Sequence, residues 1–177
     1  MKLTMDQLNR LNVQQYKKTE KIPLVLVLDN IRSMMNIGSV FRTADAFTVE
    51  KLILCGITAC PPNKEIHKTA LGATESVDWE YIENTSQAIQ SLKNDGFKVF
   101  ALEQTDKSIS LVDFRPVPGC KYALVFGNEV KGVQDAVLQC CDGSIEIPQF
   151  GTKHSFNISV SVGIVLWDFF TKFKLRG

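Results

Sequence analysis

A chain of 177 residues that is 45% hydrophobic and 22% charged holds apolar material for one ordinary core, so residues 1–177 read as a single domain. Its five cysteines (Cys55, Cys60, Cys120, Cys140, Cys141) are odd in number, contain no C-x-x-C and have only two histidines for company, which speaks against a disulfide framework or a zinc site. The opening residues lack the apolar run of a signal peptide, no later stretch reads as membrane-spanning, and reduced thiols fit a cytoplasm. A formal net charge of +1 hides a local bias, because Lys2, Arg10, Lys17, Lys18 and Lys21 face only Asp6 and Glu20 within residues 1–21, and Lys172, Lys174 and Arg176 close the chain. Basic ends suit phosphates, although solvated termini would look the same.

In chain order, Thr4 to about Lys17 predicts a basic helix, with Thr4 and Gln7 as a capping box and Met5, Leu8 and Leu11 on one side. The run I-P-L-V-L-V-L, Ile22–Leu28, is the pattern of a strand buried on both faces. A helix is expected over Asn36–Phe47 and a second buried strand over Lys51–Cys55. Beyond Pro61 and Pro62 come a short helix near Lys64–Leu71, a short strand at Trp79–Ile82, and a helix from Ser86 to Asn94 ended by Gly96. Phe97–Leu102 and Tyr122–Phe126 are further strands, Gln134–Cys140 a short helix, Ile145–Ile147 the last strand, and Ser155 to about Phe173 the last helix. Alternating helices with uniformly apolar strands predict an α/β domain on a mainly parallel sheet, helices on both faces.

Three segments carry chemistry, each where a strand gives way to a helix, the place at which such sheets gather ligands. In N-I-G-S-V-F-R-T-A, Asn36 and Gly38 should open a helix, with Val40, Phe41 and Ala44 turned inward. Arg42 is then either a surface charge with a buried stem or a phosphate clamp. In F-G-N-E-V-K-G, Gly127 admits close backbone approach and Gly132 an unusual turn. Glu129 would accept hydrogen bonds or cap the next helix. Val133 and Gln134 stand where a nucleotide triphosphatase loop needs lysine and a hydroxyl. In I-E-I-P-Q-F-G-T-K-H-S-F-N-I-S-V-S, Pro148 stops a strand, Ser155 is a natural N-cap and Asn157 should lie in the first turn. Free N–H groups, a hydroxyl and an amide then share one space, which suits a polar ligand. Behind them, Ile158, Val160, Val162, Ile164, Val165, Leu166, Trp167, Phe169 and Phe170 occupy most directions around the helix. Such a helix is expected to be covered on more than one side, with a second subunit as the cover.

Together the segments resemble the three signature motifs of the SpoU-type, TrmH-like RNA methyltransferases of the SPOUT superfamily. Motif one matches Asn36, Gly38, Arg42, Thr43 and Ala44; motif two, Phe126, Gly127, Asn128, Glu129 and Gly132; motif three, Ile147, Pro148, Gly151, Ser155, Asn157 and Ser159. The likeness runs from about Ile22 to the last helix. Gln149 stands where the family usually has methionine, and Phe156 where it has leucine.

The resemblance implies a C-terminal trefoil knot, which general topology rules alone would argue against. It implies S-adenosylmethionine held by Leu102, Glu103, Gln104, Gly127, Asn128, Ile147, Pro148, Ser155 and Asn157, with no metal. It implies methylation of a ribose 2′-hydroxyl of structured RNA, tRNA ahead of rRNA. Arg42 takes the central role, assisted by Asn36, Glu129, Ser155 and Asn157. The stretch Leu102–Leu111, with I-P-Q and a W-D-F ending, looks nearest to the branch acting on a D-loop guanosine. A homodimer through the Asn36 helix and the C-terminal helix is also implied, and the basic residues 1–21 would stand in for a separate RNA-binding domain. The alternatives are methylation of a base nitrogen, an inactive RNA-binding protein on the same fold, and a nucleotide-phosphate-binding protein.

Overall fold

Four of the seven strands are the apolar runs expected from the sequence, and their burial follows from an alternation hidden inside them. The computed structural model describes residues 2–3, 8 and 10–175. In β1 (Ile22–Asp29) Leu24, Leu26 and Leu28 belong to one core, while Val25 and Val27 belong to another on the opposite face, as a period of two requires. All five are fully buried, each stabilising the fold by about 1.5–3 kcal/mol relative to exposure. The other strands are β2 (Val49–Cys55), β3 (Trp79–Ile82), β4 (Phe97–Leu102), β5 (Ile109–Ser110), β6 (Lys121–Phe126) and β7 (Gly143–Glu146). They form one seven-stranded sheet in the order β3-β2-β1-β6-β4-β7-β5, every pairing parallel.

Helices cover both faces. On one side lie α1 (Val13–Lys18), α2 (Met34–Ala46), α3 (Lys64–Ala70), α4 (Ala73–Ser76) and α7 (Ile158–Phe170); on the other, α5 (Thr85–Asn94) and α6 (Asp135–Leu138). α2 is pressed onto α3 at Gly38, where a Cβ would come within 2.1 Å of Thr69 Oγ1 and 2.2 Å of the Ile66 carbonyl. Gly38 therefore serves helix packing from the second turn, since α2 begins at Met34 under a Ser33 cap.

Several expectations are corrected. The capping box at Thr4 and Gln7 lies outside the described residues. The described first helix starts at Val13, where Asn12 and Gln15 form the capping box. The last helix is capped by Asn157, whose Oδ1 accepts the Ser159 N–H at 2.9 Å, and not by Ser155. It runs into a π-helical turn over Thr171–Leu175. Strand β7 ends at Glu146, before Ile147, and α6 spans four residues only. Neither α4 nor the two-residue β5 was expected; both are too short to show a period. The basic ends are partly spoken for: Lys17 pairs with Asp78, Lys172 with Asp168, Lys174 with Glu20, and the Lys21 ammonium sits 3.8 Å from the Tyr16 ring centre.

Candidate active site

Because β4, β6 and β7 run parallel and adjacent, their C-terminal ends open onto one edge of the sheet, and a cavity of about 740 Å³ lies there. Its apolar wall includes Leu102, Phe126, Leu138, Ile145 and Ile147. Its charged lining is Glu103, Asp106, Glu129, Asp135 and Glu146 against Lys131, so the space favours a ligand with positive charge and an apolar body.

The loop after β6 is a tight, internally bonded hook. Asn128 and Gly132 exchange backbone hydrogen bonds of 3.0 and 2.8 Å, with Gly132 in the left-handed region at φ 66°. A Cβ on Gly127 would strike Gly132 and Val133 backbone at 2.3 Å. The close approach foreseen at Gly127 is thus made first by its own chain. Glu103 fastens the hook to β4, because its Oε2 accepts the Val133 N–H at 2.9 Å.

The same hook holds the loop that leads into α2. Asn128 Nδ2 donates to the Asn30 carbonyl at 2.8 Å, and the Glu129 carboxylate accepts from the N–H groups of Arg32 and Ser33, both at 3.3 Å. Glu129 does not cap α6, which has no side-chain cap; its partners are 96 and 97 residues away in sequence. Ser33 then caps α2 by accepting the Asn36 N–H at 3.2 Å. Asn36 Oδ1 accepts from Asn157 Nδ2 at 3.2 Å. Motif two therefore ties the cavity to motif one, and motif one touches motif three.

The predicted site residues divide into two groups. Leu102, Glu103, Gln104, Gly127, Asn128, Glu129, Ile147 and Ser155 line the cavity. Pro148 flanks it in the chain, while Asn36, Asn157 and Arg42 lie outside its lining. Arg42 is exposed on α2 beside buried Phe41 and Ala44, and no ion pair among the described residues includes it. Sequence reasoning missed Asp106, Lys131, Asp135, Glu146 and His154 in the lining, for which no local pattern exists. It also missed Asn30, whose φ of 57° is the one available signal, since asparagine tolerates that region.

Burial pushes the Cys55 and Cys141 thiols up to about 12, far from thiolates at neutral pH, so neither is a nucleophile. Among the described residues no group of three or more His, Cys, Asp and Glu could hold a metal ion, and no helix is long and apolar enough to cross a membrane.

A parallel α/β sheet with an acidic, apolar-walled cavity at its C-terminal edge defines a class, the ligand-binding α/β domains. The family is narrower. Residues 23–167 match the SpoU rRNA Methylase family, and the chain belongs to that family. It is 31% identical over 156 residues to an uncharacterized tRNA/rRNA methyltransferase of Borreliella burgdorferi, covering 88% of this chain and 67% of that one. It is 31% identical over 161 residues to a Staphylococcus aureus protein assigned to the TrmH family of tRNA/rRNA methyltransferases; the match covers 90% of this chain but only 63% of the relative. Among solved structures, the A. aeolicus TrmH/SpoU tRNA modifying enzyme superposes with a TM-score of 0.81 at 26% identity, over 93% of this chain and 84% of that one. A structure solved for the 2-OH methylation of C/U34 on tRNA gives 0.75 at 26% identity, over 85% and 97%.

Proposed function

We propose that the protein is an S-adenosylmethionine-dependent methyltransferase acting on a ribose 2′-hydroxyl of tRNA. The observation that carries the reading is the cavity itself, whose acidic lining and apolar wall are closed by the residues of two SpoU motifs. S-adenosylmethionine supplies a methyl group activated by a sulfonium, and bears a net positive charge. The lining fits it. Asp106, Asp135 and Glu146 provide negative potential, Leu102, Ile145 and Ile147 provide apolar surface for an adenine, and the strand-end backbone at Gln104, Gly127 and Pro148 offers polar groups.

Arg42 is the residue assigned to the reacting oxygen. A guanidinium holds its proton too tightly to be an efficient base, so Arg42 acts by stabilising a developing alkoxide or gripping the neighbouring phosphate. Asn36 and Asn157 fix the start of its helix against the cofactor loop, Glu129 fixes the approach to that helix, and Ser155 sits in the cavity wall. Since Arg42 lies outside its own chain's cavity, it serves the cavity of a second copy. The surface for that copy is supported by α7, where Val160, Ile164 and Trp167 form an exposed stripe, 49%, 36% and 57% accessible, at helical spacing. Met34 and Met35 at the start of α2 extend it. The buried half of α7 is Ile158, Val162, Val165, Leu166 and Phe169.

The trefoil knot belongs to the same reading. It is supported by the last strand, β7, lying between two earlier ones, β4 and β5. The five free cysteines suit a cytoplasmic protein. A D-loop guanosine is the proposed target, and the structure solved for the 2-OH methylation of C/U34 on tRNA, which the chain spans almost completely, supports position 34 as the rival.

The decisive measurement is methyl transfer from labelled S-adenosylmethionine to tRNA. Arg42→Ala should lose at least about a hundredfold in turnover while keeping affinity for S-adenosylhomocysteine; equal turnover removes Arg42 from the mechanism. Nuclease-resistant dinucleotides in the product would establish ribose over base nitrogen, and absence of cofactor binding would return the protein to an inactive RNA binder. Mapping ribose methylation in RNA from cells with and without the protein separates the D-loop from position 34. Trp167→Glu should convert a dimer to a monomer in light scattering; a persisting dimer shows that α7 is not the contact.

A further inference from the structure

The loop 148–157 carries one feature that the proposed reaction does not use. Phe150 is 98% exposed, although a phenylalanine set in water gains nothing for the fold. Its neighbours Gln149, His154, Ser155 and Phe156 line the cavity, but Phe150 itself does not. On the hook after β6, Val130 is 78% exposed and lines the cavity. Each apolar side chain has a basic neighbour: Lys131 beside Val130, and exposed Lys153 and His154 just beyond Phe150. The two loops that present Phe150 and Val130 thus also carry Lys131, Lys153 and His154, on the border of a cavity whose lining is otherwise acidic.

We propose that Phe150 is a stacking platform for an unpaired nucleobase of the RNA substrate, with Lys153 and Lys131 placed for its flanking phosphates; the proposal rests on the methyltransferase reading above. The chemistry is that of single-stranded recognition, in which a bare aromatic face takes a base and nearby ammonium groups take the backbone. A ribose whose hydroxyl must reach the cavity has to leave its helix, and the exposed ring covers the base that such a move unstacks. Two other occupants are less suited. The adenine of the cofactor belongs inside the acidic lining, from which Phe150 is absent. A second copy of this chain is accommodated by the α7 stripe, which is a different surface from this loop.

The test compares wild type, Phe150→Ala and Phe150→Trp with unfractionated tRNA from cells lacking the protein. KM for tRNA and kcat are measured together with affinity for S-adenosylhomocysteine and mass by light scattering. Phe150→Ala should raise KM for tRNA about tenfold with S-adenosylhomocysteine affinity within about twofold, and Phe150→Trp should restore the wild-type KM. An unchanged KM with an active wild type overturns the stacking role alone. So does weaker binding of S-adenosylhomocysteine, which would place the ring over the cofactor, or a change of mass, which would place it in the dimer contact. A wild type that binds no S-adenosylhomocysteine and transfers no methyl overturns the underlying function instead.

Discussion

Helix α2 and the loop 147–157 meet at the hydrogen bond from Asn157 to Asn36, yet they are built by opposite means. On α2, Ile37, Val40, Phe41 and Ala44 are completely buried, Gly38 wedges the helix against α3, and Glu129 and Asn128 clasp the approach to it. In the loop, every residue from 150 to 157 is exposed. Among the described residues, none of 147–156 makes a backbone–backbone hydrogen bond. One wall of the site is thus held by packing and hydrogen bonds, and on the proposed function the other would gain its order from the ligand. That division suits a transfer reaction: the group facing the reacting oxygen must not wander, whereas the cofactor must enter and leave. Ordering the loop lowers the net affinity for the cofactor.

The comparison breaks most severely at Gly38. Gly38→Ala would normally gain close to about 1 kcal/mol in a helix, but here the new methyl meets the Ile66 carbonyl at 2.2 Å. That backbone oxygen cannot turn aside as a side chain would, so overpacking of about 1–3 kcal/mol prevails. The melting temperature should fall by about 2–8 °C. An unchanged value would mean that α2 and α3 are less firmly set than their contacts imply. Glu129→Ala is a milder probe of the same wall. It frees the N–H groups of Arg32 and Ser33 at an exposed site, where water replaces the carboxylate, so stability should drop by no more than about 1 kcal/mol. Turnover should suffer more than stability, because the approach to Arg42 loses its tether. Loss of stability with turnover intact would make Glu129 a purely structural clasp.

How far the sequence disclosed this division can be followed residue by residue. The apolar runs disclosed β1, β2, β4 and β6, because strands buried on both faces need no alternation that a reader could misjudge. The motif residues disclosed which loops enclose the cavity. At Gly38 the sequence indicates a helix opening, since it shows that a small residue is present but not which neighbour demands it. For Glu129 the sequence does not separate capping from accepting, because its partners Arg32 and Ser33 lie almost a hundred positions upstream. Sequence places the cap at Ser155 and Asn157 in the first turn; both residue types cap well, and only the hydrogen bond from the Ser159 N–H to Asn157 Oδ1 shows that the cap is Asn157. Strand β5 is two residues of edge pairing, held by β7 rather than by any pattern of its own.

The smallest effect belongs to the open wall. A Cβ on Gly151 would meet nothing within 4 Å, and its φ lies outside the left-handed region. Gly151→Ala should therefore leave stability within about 0.5 kcal/mol, as exposed substitutions do. Its consequence should appear in binding instead. Alanine narrows the conformations of a loop that has no backbone hydrogen bonds to hold it, so less entropy is lost when S-adenosylhomocysteine orders it. Affinity should rise about twofold, a change near 0.4 kcal/mol. Amide hydrogen exchange supplies the companion measurement: residues 147–156 should exchange almost freely in the free protein and slow when S-adenosylhomocysteine is added, while α2 stays protected in both. Strong protection of the loop without ligand would show that both walls are set in advance, and Gly151→Ala would then weaken binding or leave it unchanged.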